Sequence, residues 1–158
     1  MRNPGSEIQL SYKVRGNGLP QGKPRIYFTC HPDDMAAYFD KVSSDLLQRI
    51  NCAVWFKQNP NEYYSSIEEM QVALGQMQLF VIPVTTRLLT LPNPAMDQEY
   101  VYAVNHHIPV LPLMEEEKID DLYSRRFGNI QYLSPNLADP TAISYDEKIT
   151  RFLNQTLI

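Results

Sequence analysis

Short apolar runs alternate with helix-like patterns from residue 25 to residue 133. The runs cover residues 26–28, 53–56, 79–82, 110–111 and 129–133. Short apolar runs bounded by polar or turn-forming residues are typical of buried β-strands. Strands that alternate with helices along a chain predict a parallel sheet with helices packed on its faces.

Helices are predicted between these strands by apolar residues that recur at helical spacing. The first helix follows the first strand, and its predicted apolar stripe comprises Met35, Phe39, Val42, Leu46 and Ile50. Such a stripe faces a sheet when the helix packs on it. The second helix begins near Ser65 or Ser66, because each serine is followed three residues later by a glutamate, as in a capping box.

Asn93 and Pro94 predict the start of a third helix, since asparagine is a frequent N-cap and proline is frequent in the first turn. Its predicted buried face comprises Met96, Tyr100, Ala103 and Val104, with Glu99 on the flank of that face. A short fourth helix is predicted over 118–126 and a terminal helix over 144–157.

The most economical fold for this order of elements is a flavodoxin-like, doubly wound, five-stranded parallel sheet with helices on both faces. Ligands of such folds bind beyond the carboxyl ends of the strands. The loops of interest are therefore 29–34, 57–63, 85–96 and 114–117.

The chain of 158 residues has the length of a single domain. Residues 1–23 are rich in glycine and proline and are interpreted as an extension or linker, although 8–14 alternate like a short strand. Residues 24–134 are interpreted as the domain, and 135–158 as a C-terminal extension with the terminal helix.

The composition of the chain limits which cellular compartment and which binding partners we expect. The formal net charge is −4 and no basic stripe is present, so nucleic acid is not expected as a partner. Two cysteines give neither a disulfide framework nor a four-cysteine zinc site, and reduced thiols fit the cytoplasm. We expect no membrane partner, because no apolar stretch is long enough to span a bilayer and the first ten residues do not resemble a signal peptide.

The loop 29–34 can be compared with two known kinds of site in similar folds, a dinucleotide-binding site and a phosphoryl-accepting site. It contains no glycine, so the fingerprint of a Rossmann dinucleotide site is missing. Asp33 and Asp34 resemble the acidic pocket of a phosphoryl-accepting receiver domain. However, the third strand ends at Thr85 and Thr86 where a receiver has an aspartate, and the expected lysine near the fifth strand is missing.

Three other groups of reactive side chains have simpler interpretations. Cys30 beside His31 suggests a thiol nucleophile, but a cysteine that ends a central strand is more often a small buried hydrophobe. His106 and His107 could join His31 at a metal, yet no ligand spacing repeats, so we expect no metal site. The acidic run 115–117 fits a solvated helix start.

Five segments in order resemble successive boxes of a TIR (Toll/interleukin-1 receptor) domain of the bacterial type. They are residues 25–34 (RIYFTCHPDD), 54–57 (VWFK), 79–85 (LFVIPVT), 96–100 (MDQEY) and 108–113 (IPVLPL). The resemblance covers 24–134. It departs from the family at Ala95, where a tryptophan is common, and in the loop from Lys57 to Tyr64 (the family's BB loop), which lacks glycine.

The resemblance implies that Glu99 is the catalytic carboxylate of an NAD⁺ glycohydrolase, with NAD⁺ as substrate and no cofactor. It implies a nicotinamide-binding side formed by Phe28, Thr29, Cys30 and His31, and it places Trp55 and Phe56 at the start of the BB loop. Lys57 and Arg87 are the candidates for binding phosphates. From residue type and spacing alone, Trp55 fits a core aromatic and the two cations fit ordinary surface charge.

The resemblance also implies homo-oligomers held by contacts between TIR domains. It implies a role in bacterial antiphage signalling or, alternatively, in virulence. The principal alternative is a non-catalytic TIR adaptor or scaffold that acts through the same self-association. Either one can be part of a larger parent protein that carries a sensor module, such as helical repeats.

Overall fold

The computed structural model describes residues 12–16, 24–49, 52–133 and 154, and these form an α/β fold around a five-stranded mixed sheet. The strand order is β1-β3-β2-β4-β5. The strands are β1 (Tyr12–Gly16), β2 (Arg25–Phe28), β3 (Ala53–Lys57), β4 (Leu79–Val84) and β5 (Val110–Met114). The four predicted strands at 26–28, 53–56, 79–82 and 110–111 are confirmed, and β2 to β5 pair in parallel.

The fifth strand of the sheet is β1, which overlaps the segment 8–14 that alternates like a short strand, rather than 129–133, and the prediction of an all-parallel sheet is wrong. Strand β1 pairs antiparallel with β3, placing Val14 opposite Trp55. The predicted strand 129–133 makes only an isolated bridge at Leu133. The segment before Leu133 is bonded to the helix α5 (Asp120–Phe127). The Tyr123 hydroxyl of α5 donates to the Ile130 carbonyl at 2.5 Å, so this carbonyl accepts from a side chain and not from a neighbouring strand.

The other helices lie near the predicted positions. They are α1 (Met35–Arg49), which follows a 3₁₀ turn at Pro32–Asp34, then α2 (Ile67–Leu74), the short α3 (Thr86–Thr90) and α4 (Tyr100–Asn105). The predicted terminal helix 144–157 falls outside the described residues except for Asn154, which is helical. Among the described residues, no helix combines the length and apolar character needed to cross a membrane.

Both faces of the sheet carry a buried core, because alternate strand residues point to opposite faces. On one face, Tyr27, Phe80 and Ile82 pack with residues of α2, α3, α4 and α5. On the other face, Ile26, Phe28 and Val81 pack against α1, which contributes Val42 and Leu46. Helices therefore cover both faces of the sheet, and polar side chains can collect at the edges where the strands begin and end.

The predicted third helix is irregular at its start. The Asn93 side-chain oxygen accepts from the Met96 amide at 2.9 Å, which fulfils its predicted capping role. Residues Ala95–Glu99 then form a π-helical turn before α4. The wider turn changes the phase of the residues after it. Val104, predicted to be buried, is 42% exposed, while Glu99, predicted on the flank, is 1% exposed.

Candidate functional site

Buried polar side chains collect at the carboxyl edge of the parallel strands. Thr29 follows β2, Lys57 ends β3 and Thr85 follows β4, and their exposed fractions are 8%, 7% and 1%. Polar groups are rarely buried to this extent unless each has a partner. Their partners define two clusters, one around Glu99 and one around Asp34.

Glu99 lies at the centre of the first cluster, which we call the Glu99 cluster. One carboxylate oxygen accepts a hydrogen bond from the Thr29 hydroxyl at 2.6 Å. The other accepts from the hydroxyls of Tyr27 and Tyr64. The two tyrosine oxygens are also 3.1 Å apart. Three hydroxyl groups thus hold one buried carboxylate in a single orientation.

The π-helical turn explains why this glutamate points inward. Its extra residue per turn moves Glu99 from the helix flank to the inner side, over Tyr27 on the central strand. The backbone at Glu99 remains in the ordinary right-handed helical region. Turns of this type are rare and are frequently found at functional sites.

The loop between β3 and α2, residues 58–66, covers the Glu99 cluster. Most of its residues are exposed, and Tyr64 is the buried one. Neighbouring residues of the π-helical turn bind it: the Tyr63 hydroxyl donates to Asp97 at 2.8 Å, and the Tyr64 amide donates to the Gln98 side-chain oxygen at 2.7 Å. The Gln98 side-chain amide donates back to the Tyr64 carbonyl at 3.0 Å.

Lys57 lies beneath the same loop. Its ammonium group donates to the Glu62 carbonyl and lies 4.6 Å from the centre of the Tyr64 ring, within cation–π range. Burial lowers the pKa of Lys57, and the charges of Glu99, Glu62 and Glu69 oppose that shift. Lys57 therefore supplies positive charge near Glu99 while its hydrogen bond goes to the loop backbone.

The Asp34 cluster occupies the same edge of the sheet, after β2 and β4. The Thr85 hydroxyl donates to one Asp34 oxygen at 2.5 Å, and the Arg87 guanidinium lies 3.3 Å from the other. Arg87 also approaches the exposed Asp33 at 3.8 Å. Thr85 accepts from the Leu88 amide at the start of α3. This carboxylate thus joins a strand end to a helix start through a charged pair.

The structure brings some of the proposed binding residues to Glu99 and separates others. Thr29 and Lys57 lie in the cluster, and Trp55 packs on the same face of the sheet. The Trp55 indole N–H is buried and has no acceptor among the described residues. Phe28, Cys30 and Phe56 lie with Phe39 or Met35 on the opposite face.

His31 and Arg87 have local partners away from Glu99. The His31 ring accepts from the Asp33 amide at 3.1 Å and begins the 3₁₀ turn, and Arg87 pairs with Asp34. The ring of His106 stacks on Tyr102 at 3.9 Å. The described residues include no group of three or more metal-ligating side chains that could hold an ion.

Tyr27 and Tyr64 belong to the site, and sequence reasoning missed both. Tyr27 gave a usable signal, because a tyrosine in the middle of an apolar buried strand needs a partner for its hydroxyl. Tyr64 gave none, since its contact with Glu99 spans 35 positions and depends on the path of the loop.

Burial makes the two thiols poor nucleophiles. Cys30 is 1% exposed, and its burial, followed by the charges of Asp34 and Glu99, raises its pKa well above the ordinary value. Burial alone raises the pKa of Cys52 to about 11. Because the thiolate is the reactive form, neither cysteine has the environment of a catalytic thiol.

Comparison with known protein families and with curated proteins finds no match for this chain.

Proposed function

We propose that this chain is a TIR-domain NAD⁺ glycohydrolase in which Glu99 is the catalytic carboxylate. The products are nicotinamide and either ADP-ribose or a cyclic ADP-ribose. In this proposal the enzyme acts in the bacterial cytoplasm in antiphage signalling, within oligomers formed by TIR domains. The resemblance of five sequence segments supplies the substrate, and the geometry around Glu99 supplies the support from the structure.

The observation that carries the proposal is that the buried carboxylate of Glu99 is held by hydroxyl groups. Among the described residues, its hydrogen bonds come from the hydroxyl groups of Tyr27, Thr29 and Tyr64, and no arginine or lysine of that set is bonded to it directly. A buried carboxylate is costly unless its charge is compensated. A negative charge held by neutral dipoles at a ligand-binding edge suits a site that must stabilise a transient cation.

The arrangement of the sheet supports a flavodoxin-like TIR fold as part of the same proposal. The parallel strands follow the order β3-β2-β4-β5, and both faces are covered by helices. In such sheets ligands bind beyond the carboxyl ends of the strands. Glu99 contacts Tyr27 and Thr29, which end the central strand β2 and begin its following loop.

Cleavage of the bond between nicotinamide and ribose does not require a general acid. Nicotinamide in NAD⁺ is a pyridinium, so it leaves as a neutral molecule when the glycosidic bond breaks. The bond's electron pair goes with nicotinamide, and positive charge develops on the ribose, as in glycoside hydrolysis. The Glu99 carboxylate stabilises that charge in a poorly screened environment. Water then attacks to give ADP-ribose, or the adenine attacks to give the cyclic product.

The remaining binding roles follow the placement of the side chains. Thr29 orients Glu99, and Trp55 offers an aromatic face and a buried N–H donor on the same side of the sheet. Lys57 contributes positive charge near the carboxylate. The Arg87 guanidinium lies 3.3 Å from Asp34 and must leave it to reach a phosphate.

The direct test is nicotinamide release from NAD⁺ by purified protein, followed by chromatography with mass detection. We expect release by the wild type and a loss of at least about 100-fold in Glu99→Gln. Glu68→Gln is the matched control, because Glu68 is exposed on α2, and its activity should equal that of the wild type. If the wild type and Glu99→Gln release equal amounts at high protein concentration, the enzyme proposal is wrong.

A non-catalytic scaffold is the second candidate, favoured by apolar residues on the outer surface of α4. Val101 and Val104 are 46% and 42% exposed, although both are large hydrophobics on one helix face. Self-association covers such a surface. Light scattering of the wild type, Val101→Ser and Glu99→Gln separates the candidates: assembly without nicotinamide release supports the scaffold, and release that depends on Glu99 supports the enzyme.

A further inference from the structure

Glu99 is 1% exposed, so a substrate can touch it only after a covering group moves. Its three hydrogen-bond donors differ in their freedom to move. Tyr27 belongs to the central strand β2 and is 0% exposed, and Thr29 directly follows that strand. Tyr64 belongs to the loop 58–66, whose other residues are mainly exposed. The donor that can leave at the lowest cost is therefore Tyr64.

The side chain of Gln98 pairs with the main chain of Tyr64. Gln98 accepts from the Tyr64 amide at 2.7 Å and donates to the Tyr64 carbonyl at 3.0 Å, so its amide pairs with this residue as a neighbouring strand would. Gln98 precedes Glu99 in the π-helical turn. Gln98, one of the residues that hold the loop 58–66, is thus covalently adjacent to the carboxylate beneath that loop.

We propose that Gln98 is a positioning residue that holds the main chain of Tyr64, keeps the loop 58–66 closed over Glu99, and thereby sets how often substrate reaches the carboxylate. The inference rests on the proposed function for its effect on turnover, but not for its effect on access to Glu99. The closed and open positions of the loop form an equilibrium in which NAD⁺ binds only the open form.

Loosening the loop 58–66 should increase the apparent affinity for NAD⁺. When only the open form binds substrate, the apparent affinity is reduced by the fraction of molecules that are open. Replacing Gln98 with methionine keeps the volume and removes both hydrogen bonds. We expect KM to fall about fivefold with kcat unchanged, because these two part-buried hydrogen bonds, each at the low end of the usual net contribution, are together worth roughly a factor of five in an equilibrium. Structural damage instead lowers kcat or raises KM.

Access to Glu99 is measured without NAD⁺ by labelling carboxylates with a carbodiimide and an amine, followed by peptide mass spectrometry. We expect Glu99 to label about five times faster in Gln98→Met than in the wild type. The exchange of the Tyr64 amide hydrogen should accelerate by a similar factor. The matched control is Gln48→Met, at an exposed position on α1, and it should leave both rates unchanged.

The buried Asp34, which is 4% exposed, serves as an internal control for general loosening. Asp34 should label at the wild-type rate in Gln98→Met. Gln98→Glu is a second variant of nearly the same shape, which loses the donor to the Tyr64 carbonyl and should increase Glu99 labelling as well.

The possible outcomes separate the two proposals. Equal labelling of Glu99 in the wild type and both Gln98 variants overturns the role of Gln98, whether or not the protein cleaves NAD⁺. An equal rise at Asp34 also overturns it. Faster labelling of Glu99 with an unchanged or higher KM overturns the effect on turnover. A wild type that cleaves no NAD⁺ refutes the proposed function, while the labelling result still decides whether Gln98 controls access.

Discussion

Glu99 and Asp34 are buried carboxylates at the same edge of the sheet, and they differ in the charge of the groups that hold them. Asp34 is paired with the Arg87 guanidinium and bonded by Thr85, so its charge is compensated by an opposite charge. Glu99 is bonded by the hydroxyls of two tyrosines and a threonine. A compensated pair joins structural elements, whereas a carboxylate held by neutral groups keeps its negative field for a ligand.

The two carboxylates also differ in how easily they can be recognised from the sequence. Adjacent aspartates after the first parallel strand suggest an acidic pocket, but one of them is tied to Arg87 on α3, and the other is exposed. Glu99 gives no sign of burial in the sequence. Four measurements test how the Glu99 and Asp34 clusters differ.

The largest expected effect is on activity when each carboxylate becomes an amide. Glu99→Gln should lower the rate of nicotinamide release by about 100- to 1000-fold, because it removes the charge that opposes the developing cation. Asp34→Asn should stay within about tenfold of the wild type, since its partner Arg87 can turn to water. Initial rates at saturating NAD⁺ measure both. Equal losses in the two variants would remove the functional distinction between the clusters.

The next effect is on stability and belongs to the Asp34 cluster. Asp34→Ala should lower the free energy of unfolding by about 2 kcal/mol, because the buried Thr85 hydroxyl loses its acceptor and Arg87 loses its partner. The control is Asp33→Ala, which removes an exposed carboxylate 3.8 Å from Arg87 and should cost under about 0.5 kcal/mol. Urea titration gives both values, and similar costs would argue against a structural role for Asp34.

A smaller effect tests the hydroxyls of the Glu99 cluster. Tyr27→Phe should cost about 1.5 kcal/mol of stability, since it removes a hydrogen bond to a buried carboxylate. Tyr63→Phe also removes one tyrosine hydroxyl bonded to a carboxylate, but Tyr63 is 46% exposed, so the cost should be below about 0.5 kcal/mol. Thermal unfolding of the pair, at equal protein concentration, checks the ranking. A reversed ranking would mean that Tyr27 holds Glu99 only weakly.

The smallest effect concerns pH and Cys30, whose raised pKa arises from burial first and from Asp34 and Glu99 next. Above pH 9 the unfolded chain releases the thiol proton while the folded chain keeps it. The unfolded state then binds fewer protons, so stability falls as pH rises. At pH 9 the loss should be under about 1 kcal/mol. Cys30→Ala should make the stability less dependent on pH between 8 and 9.5, and an unchanged slope would contradict this account.

Much of the fold follows from local patterns in the sequence. Four of the five predicted strands and the helices near 35–49 and 120–127 are found, because apolar spacing reports which face of an element is buried. Strand β1 was difficult to assign, since its partner β3 is about 40 positions away and its own alternation is short. The strand predicted over 129–133 failed because tyrosine side chains near α5 hold that segment.

The site was predictable only in part. Glu99 and Thr29 were named from the resemblance, and the structure joins them with a hydrogen bond. The burial of Glu99 was not foreseen, because a period of 3.6 residues was assumed where the chain forms a wider turn. Gln98 and Tyr64 meet across 34 positions, and such long-range pairs leave no signal in local spacing.

The π-helical turn Ala95–Glu99 has a consequence for how this segment tolerates insertions and deletions. Each residue of an α-helix turns the chain by about 100° around the axis. Deleting one residue ahead of Gln98 would restore a regular helix and rotate the following side chains as a block. Glu99 would then turn away from Tyr27 while its neighbours stayed in sequence. A deletion of one residue in this turn would therefore remove the carboxylate from the site, although the sequence would still contain every residue of the Glu99 cluster.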